Sequence, residues 1–233
     1  MDSNKSHVGT GAMNMTSGHR PSRQETLKNL SEGLLRSAGR TGVSGHLLEI
    51  HHPCAPVFDP VFLHTASEAF GVSLSLCQHD TAVSGRRVCC DSASLPFQER
   101  VFKMVVLHHV IGDGSEPELA EACRVTARDG VLILLGLNRF GWRFRTQGKI
   151  RRLPGLVPLT VRNELERQGM KMQGFAGAGL CGQNRPVFMN SGLSALGAPV
   201  ADVVILQASH IDNPGVTPLR FRKSNSVVVQ SAP

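Results

Sequence analysis

The fold of this chain is decided by residues 87–138, which read RVCCDSASLPFQERVFKMVVLHHVIGDGSEPELAEACRVTARDGVLILLGLN. Short apolar runs at Val88–Cys90, Val101–Val110 and Val131–Leu137 surround a helical pattern over Glu116–Ala127. Continuous apolar runs of this length are typical of strands buried on both faces, in a parallel sheet that helices cover. The stretch therefore predicts the order strand, strand, helix, strand in an α/β fold.

Polar side chains follow the ends of these predicted strands. Asp91 follows the first run, His108 and His109 close the second, and Asn138 follows the third. In open α/β sheets, ligands bind in the crevice outside the carboxyl ends of the strands. We therefore expect these four residues to face one ligand-binding crevice.

The same stretch resembles the class I S-adenosylmethionine-dependent methyltransferases. Asp91 with Leu95-Pro96-Phe97 is similar to the segment after their third strand, and Val105–Val110 is similar to their fourth strand. Ala122–Gly130 resembles their REAARVLRPGG helix and turn. The resemblance covers roughly residues 46–208.

Within that family the chain is most similar to a small bacterial, methyltransferase type 11-like group with a degenerate glycine motif. In that group the fifth strand continues into a GFNP-S-WG-R segment, which here reads Gly136–Arg143. The resemblance implies a doubly wound, mostly parallel Rossmann-like sheet with an antiparallel C-terminal hairpin. It also implies S-adenosylmethionine as cofactor and in-line attack of an acceptor on its methyl group.

The glycine-rich loop after the first strand is altered. The predicted strand His46–Ile50 carries the family's acid, Glu49, but His51 and Pro53 stand where two glycines belong. Glycines there let the backbone approach the cofactor closely, whereas His51 adds a Cβ and Pro53 lacks an N–H. Two interpretations follow: the cofactor binds in a shifted pose, or the domain has lost cofactor binding.

The resemblance implies a set of cofactor-binding residues. Asp91 corresponds to the acid that accepts a hydrogen bond from the adenine amino group, and Glu49 to the acid that orients the loop and the methionine end. Alternatively, Asp91 caps its own turn, and Glu49 is a buried acid bonded to backbone donors. The full predicted set is Glu49, His51, Asp91, Ser92, Leu95 and His108.

His109 is the candidate catalytic residue, preferred over His108 as the side chain that faces cofactor or substrate. A histidine at the end of the fourth strand can take a proton from an acceptor if its pKa lies near neutral pH. Methyl transfer also proceeds by alignment alone, so a base is optional. His46, His51 and His52 lack a carboxylate or cysteine at ligand spacing, so no metal site is predicted.

A basic segment follows the predicted fifth strand. Residues 139–152 hold six basic residues and no acid, with aromatic residues interleaved, and they account for much of the net charge of +7. This composition suits a polyanion such as nucleic acid, or an anionic lipid surface. A solvated loop packed through its tryptophan is the alternative. Asn138, Trp142 and Arg143 are the predicted substrate-binding residues.

Length and composition fit one domain with tails. The 233 residues divide into an N-terminal tail (1–23), a methyltransferase-like domain (24–212) and an extended C-terminal tail (213–233). No apolar run approaches the roughly 20 residues that a membrane-spanning helix needs, and residues 1–23 do not resemble a secretory signal. Six cysteines without a C-x-x-C pair predict reduced thiols in a cytoplasmic protein.

Further elements are predicted around the central stretch. An amphipathic helix at Gln24–Ser37 carries leucines on one face, and a crossover helix is expected at Asp59–Phe70. The remaining predicted elements are a strand at Val72–Cys77, a helix at Leu159–Gln168, strands at Met172–Ala176 and Val203–Ala208, and a long loop at Gly177–Val200.

Three functions are compatible with these patterns. The first is a methyltransferase with an unidentified acceptor. The second is a catalytically inactive methyltransferase-like scaffold that binds a protein partner, for which the His51/Pro53 loop is the best support. The third is binding of a polyanion such as nucleic acid, which only the charge supports.

Overall fold

The computed structural model describes residues 23–38, 45–52, 71–75, 87–88, 90–141, 153–180 and 200–211. The expected helix at Asp59–Phe70, residues 1–22 and 212–233, where tails are expected, and most of the basic segment lie outside the described residues. No helix in the described ranges is long and apolar enough to cross a membrane.

One sheet organises the described chain. Its path runs β3-β2-β1-β4-β5-β8-β7, and a short strand, β6, pairs with the end of β5. The first five strands on this path are parallel, whereas β8 is antiparallel to both of its neighbours. This arrangement confirms the mostly parallel sheet with an antiparallel C-terminal pair. The strand bounds are β1 Leu47–His51, β2 Gly71–Ser75, β3 Arg87–Val88, β4 Phe102–His108, β5 Thr126–Asn138, β6 Gly155–Leu156, β7 Met170–Ala178 and β8 Val203–His210.

Helices cover both faces of the sheet. On one face α1 (Arg23–Ala38) buries Leu30 and Leu34 against strand residues such as Leu47. On the other face α2 (Glu116–Val125) and α3 (Pro158–Arg167) pack on a second cluster of buried apolar side chains, which includes Ile50. Because side chains alternate along a strand, every other residue of β1 and β4 faces α1.

Most predicted elements are confirmed, with shifted bounds. The largest shift is at β5, which begins at Thr126 because the chain passes straight from α2 into extended backbone there. The Thr126 hydroxyl donates to the Ala122 carbonyl at 2.6 Å and so closes the helix. The register against β4 shifts between Phe102 and Met104, which absorbs the additional residues.

Two strand assignments differ from the expectation. β6 was not predicted, since a strand of two residues carries no periodicity; it pairs with Leu137 and Asn138 at the end of β5. β7 continues to Ala178 and so takes the first two residues of the expected loop at 177–200, because they pair with Val203 and Val204. Residues 181–199 lie outside the described residues.

Candidate functional site

The carboxyl ends of β1 and β4 bring two histidines face to face. These strands are parallel neighbours in which His51 is the register partner of His108. The two imidazole rings stack with their centroids 4.0 Å apart and an angle of 6° between their planes. Both side chains are buried, and His108 has no exposed surface. The sheet therefore fixes a pair of imidazoles at the edge where the fold binds ligands.

Glu49 joins the stacked pair. It precedes His51 by two residues and so lies on the same face of β1, the face that α1 covers. Its Oε2 accepts a hydrogen bond from His51 Nε2 at 3.3 Å, and the residue is 2% exposed. Its other oxygen, Oε1, is buried and has no hydrogen-bond partner within the described part of the chain. Glu49 is thus a buried acid with spare accepting capacity.

His109 turns away from the strand immediately after β4. Its φ of 55° lies in the left-handed region, and its backbone N–H donates to the Leu135 carbonyl at 2.7 Å. Its ring Nε2 lies 3.4 Å from the Ser31 hydroxyl of α1. Ring Nδ1 is buried and has no hydrogen-bond partner among the described residues. His109 is therefore a further buried polar group, in addition to Glu49, His51 and His108.

Burial favours the uncharged form of His108 and His109 by lowering the pKa of each. It lowers the pKa of His109 to about 3, with the nearby His52 and His51 adding to the effect. The pKa of His108 is lowered well below its ordinary value, first by burial and then by His51 and His109. The expectation of a near-neutral pKa at His109 is therefore wrong, because the ring has no water to solvate its charged form. A neutral imidazole remains a hydrogen-bonding group and a metal ligand.

Asp91 and Ser92 lie in a turn between β3 and β4. The exposed Asp91 accepts a hydrogen bond from the Ala93 N–H through Oδ1 at 3.0 Å, and its carbonyl accepts one from the Ser94 N–H at 3.1 Å. Ser92 is 4% exposed. The turn-capping interpretation of Asp91 is thus present in the structure, and its exposed carboxylate remains accessible from solvent.

Leu95 has a packing role. Its side chain belongs to the core cluster beneath α2, on the face of the sheet opposite to Glu49 and His51. Its N–H donates to Glu121 Oε2 at 3.0 Å, and its carbonyl accepts from Arg124 at 3.1 Å. The Glu121–Arg124 pair on α2 therefore anchors the segment that follows the Asp91 turn.

Asn138 shapes the turn that leaves β5. It is fully buried; its side-chain oxygen accepts from the Phe140 N–H at 3.1 Å, and its own N–H donates to the Asp202 carbonyl at 3.0 Å. Arg139, the first residue of the basic segment, forms an ion pair with Asp113. The other two predicted substrate-binding residues, Trp142 and Arg143, lie outside the described residues.

Sequence reasoning missed the grouping of Glu49, His51 and His108. One ligand atom from each of these residues lies within 4.8 Å of the others. The histidines close in sequence, His46, His51 and His52, indicate no metal site by themselves, whereas Glu49 lies two residues before His51 and shares its strand face. That spacing was the available signal. The third member comes from β4, and only strand pairing brings it there.

Comparisons with known proteins establish the fold. No protein-family model and no curated protein matches the chain. Among solved structures it is similar to the [4+2]-cyclase SpnF, with a TM-score of 0.56, 14% identity, and 84% of each chain covered. It is also similar to geranyl diphosphate C-methyltransferase from Streptomyces coelicolor A3(2), crystallised with Mg2+, geranyl diphosphate and S-adenosyl-L-homocysteine. That match has a TM-score of 0.54 and 11% identity, and it covers 89% of this chain and 94% of that one.

A geranyl diphosphate methyltransferase in complex with geranyl diphosphate and sinefungin matches at a TM-score of 0.54 and 12% identity, covering 79% of this chain and 78% of that one. At these identities the likeness concerns architecture. The chain therefore has a class I methyltransferase-like fold, as the sequence resemblance implied.

Proposed function

We propose that this chain is an S-adenosylmethionine-dependent methyltransferase whose cofactor binds at the carboxyl ends of β1 and β4. The observation that carries the proposal is Glu49, an acid buried at the end of β1 with one oxygen lacking a hydrogen-bond donor in the described part of the chain. The fold supports it, since similar structures were solved with S-adenosyl-L-homocysteine or sinefungin bound.

The methionine end of the cofactor fits the spare oxygen of Glu49. A buried acceptor without a donor costs about 1–3 kcal/mol, and the ammonium group of the cofactor would offset that cost. His51 carries a ring at the position of the family's first glycine, but this ring packs against His108 and is 8% exposed. In this proposal His51 and His108 border the methionine end in place of a glycine turn.

The adenine end would bind at the turn after β3. We assign Asp91 and Ser92 to this contact, because the Asp91 carboxylate is exposed there. Leu95 holds the turn through its bonds to Glu121 and Arg124 rather than by touching the cofactor.

Catalysis in this proposal rests on positioning. The cofactor supplies an electrophilic methyl group, and the protein aligns the acceptor with it. His109 is a weak base, because burial holds its pKa at about 3. We therefore assign it an orienting hydrogen bond to the acceptor rather than proton abstraction. The acceptor would meet the segment after β5, where Asn138 forms the turn and Trp142 and Arg143 follow.

Calorimetric titration with S-adenosyl-L-homocysteine tests the proposal. We expect micromolar binding to the full chain, weakened at least tenfold by Glu49→Gln and by Asp91→Asn. Glu166→Gln is the matched control, because Glu166 is an exposed acid on α3 that pairs only with a surface arginine in the described structure. Absence of binding at millimolar concentration, or equal binding by all four proteins, would refute the proposal. Circular dichroism of each variant checks that the fold is intact.

A further inference from the structure

We infer that Glu49, His51 and His108 form a binding site for a divalent transition-metal ion such as zinc. This inference goes beyond the proposed methyl transfer, which requires no metal. It shares Glu49 with the proposed cofactor site but stands on its own geometry. The site lies between β1 and β4, on the face of the sheet that α1 covers.

The donor set defines the class of ion. Zinc binds imidazole nitrogen and carboxylate oxygen at about 2.0–2.2 Å, and catalytic zinc sites use three protein ligands and one open position. Two imidazoles with one carboxylate also suit Fe2+ and Co2+. Mg2+ and Ca2+ prefer six or more oxygen ligands, which this cluster does not offer. The expected occupant is therefore a transition metal with an open coordination position.

The separations are close to those of a tetrahedral site. Two ligand atoms at about 2.1 Å from one tetrahedral ion lie about 3.4 Å apart. Glu49 Oε2 and His51 Nε2 are 3.3 Å apart, so these two ligands are already placed. All three ligand atoms lie within 4.8 Å of one another. His108 completes the set if its ring rotates out of the stack and shortens the widest separation, at most 4.8 Å, by up to about 1.4 Å.

The burial of the Glu49 carboxylate also favours a cation at this site. A carboxylate that is 2% exposed and accepts a single hydrogen bond, from the ring of His51, is poorly compensated for the loss of water around its charge. A metal ion would supply the opposite charge at that position. The ligands also rest on two hydrogen-bonded parallel strands, which hold side chains more rigidly than loops do.

The test is a titration of the EDTA-stripped full chain with Co(II), which reports ligand type in its visible spectrum. We expect one Co(II) per chain, with d–d bands of a four- or five-coordinate nitrogen and oxygen site, and displacement by Zn(II). Thiolate charge-transfer bands must be absent, because they would place the ion on one or more of the six cysteines. The inference is overturned if the wild-type chain does not bind Co(II), or if its spectrum shows thiolate bands. Neither outcome depends on a variant.

Variants then locate the ion. His51→Gln and His108→Gln should each weaken Co(II) binding beyond the roughly 10–100-fold that loss of an outer contact costs. His210→Gln is the matched control, because His210 bonds the Thr126 carbonyl at the far end of β8. Unchanged binding in either ligand variant overturns the site. If a variant unfolds, the wild-type protein is tested by its melting temperature instead. The site predicts that Zn(II) raises this temperature and that Mg2+ does not. A melting temperature that Zn(II) leaves unchanged counts against the site.

The metal proposal and the cofactor proposal can be tested, and refuted, independently of each other. Titration with S-adenosyl-L-homocysteine in EDTA tests cofactor binding with no metal present. Co(II) binding in the absence of that compound tests the metal site alone.

Discussion

The ring of His51 lies flat on the ring of His108, with 4.0 Å between their centroids and 6° between their planes. The two residues close neighbouring parallel strands at the edge where this fold binds ligands. Glu49, which lies on the same face of β1, accepts a hydrogen bond from the ring of His51. The chemistry of this edge is that of an acid and two imidazoles.

Glu49 and His51 should be energetically coupled. Their hydrogen bond is buried, so removing either partner leaves a polar group without compensation. In urea unfolding of His51→Ala, Glu49→Gln and the double variant, we expect a coupling free energy of about 0.5–3 kcal/mol. The exposed pair Lys28–Glu32 is the control, with an expected coupling of about 0.3–0.5 kcal/mol. Equal coupling in the two pairs would contradict the prediction.

Mild acid should destabilise the protein. Burial holds the pKa of His109 at about 3 and lowers the pKa of His108 well below its ordinary value of 6.5. Above pH 6.5 these rings are neutral in both states, so their contribution to stability is complete. Below it the unfolded chain binds protons that the folded chain cannot, until His109 itself titrates near pH 3. The free energy of unfolding should fall by up to about 1.4 kcal/mol per pH unit for each histidine.

Urea unfolding between about pH 8 and pH 5 measures this decline. His109→Asn is the control, because asparagine tolerates positive φ and does not titrate. Its stability should fall less steeply with acid. A wild-type stability that stays constant over the range would rule out buried neutral histidines.

Gly136→Ala should destabilise the sheet where β6 meets β5. A Cβ at this position would lie 2.2 Å from Leu156 Cδ2, and Leu156 is 1% exposed. We expect a loss of about 1–3 kcal/mol from overpacking. In a Leu156→Ala background the same substitution should cost much less, because the side chain it meets is gone. An equal cost in both backgrounds would show that the close approach to Leu156 is not the cause.

Arg124→Ala should loosen the segment after the Asp91 turn. The guanidinium donates to the carbonyls of Phe97 and Leu95 and to the Glu121 carboxylate. Loss of these bonds should cost about 1–3 kcal/mol. Arg124→Lys should recover little, because an ammonium group lacks the planar fork. The exposed Arg162, paired with Glu166, is the control, and Arg162→Ala should cost less than about 0.5 kcal/mol in the same thermal unfolding assay. Comparable losses would argue against this anchoring role.

The sequence by itself determined the layers and the order of most of the described elements. The continuous apolar runs of β4 and β5 indicate strands that are buried on both faces, and the leucine spacing of α1 indicates a helix with one buried face. Each of these patterns lies within its own segment and can be read without the rest of the fold. The prediction of an altered glycine loop after β1 is local in the same way, because it depends only on the residue types at His51 and Pro53, and it stays a prediction.

Only the tertiary structure decided what surrounds the side chain of His51. Pairing between β1 and β4 aligns His51 with His108, and no local periodicity encodes the register between strands so distant in the chain. The same packing buries His109 and removes the basicity that its residue type suggests, and it turns Leu95 toward the opposite face. Strand patterns are set by neighbouring residues, whereas register, burial and pKa are set by what the rest of the fold places around them.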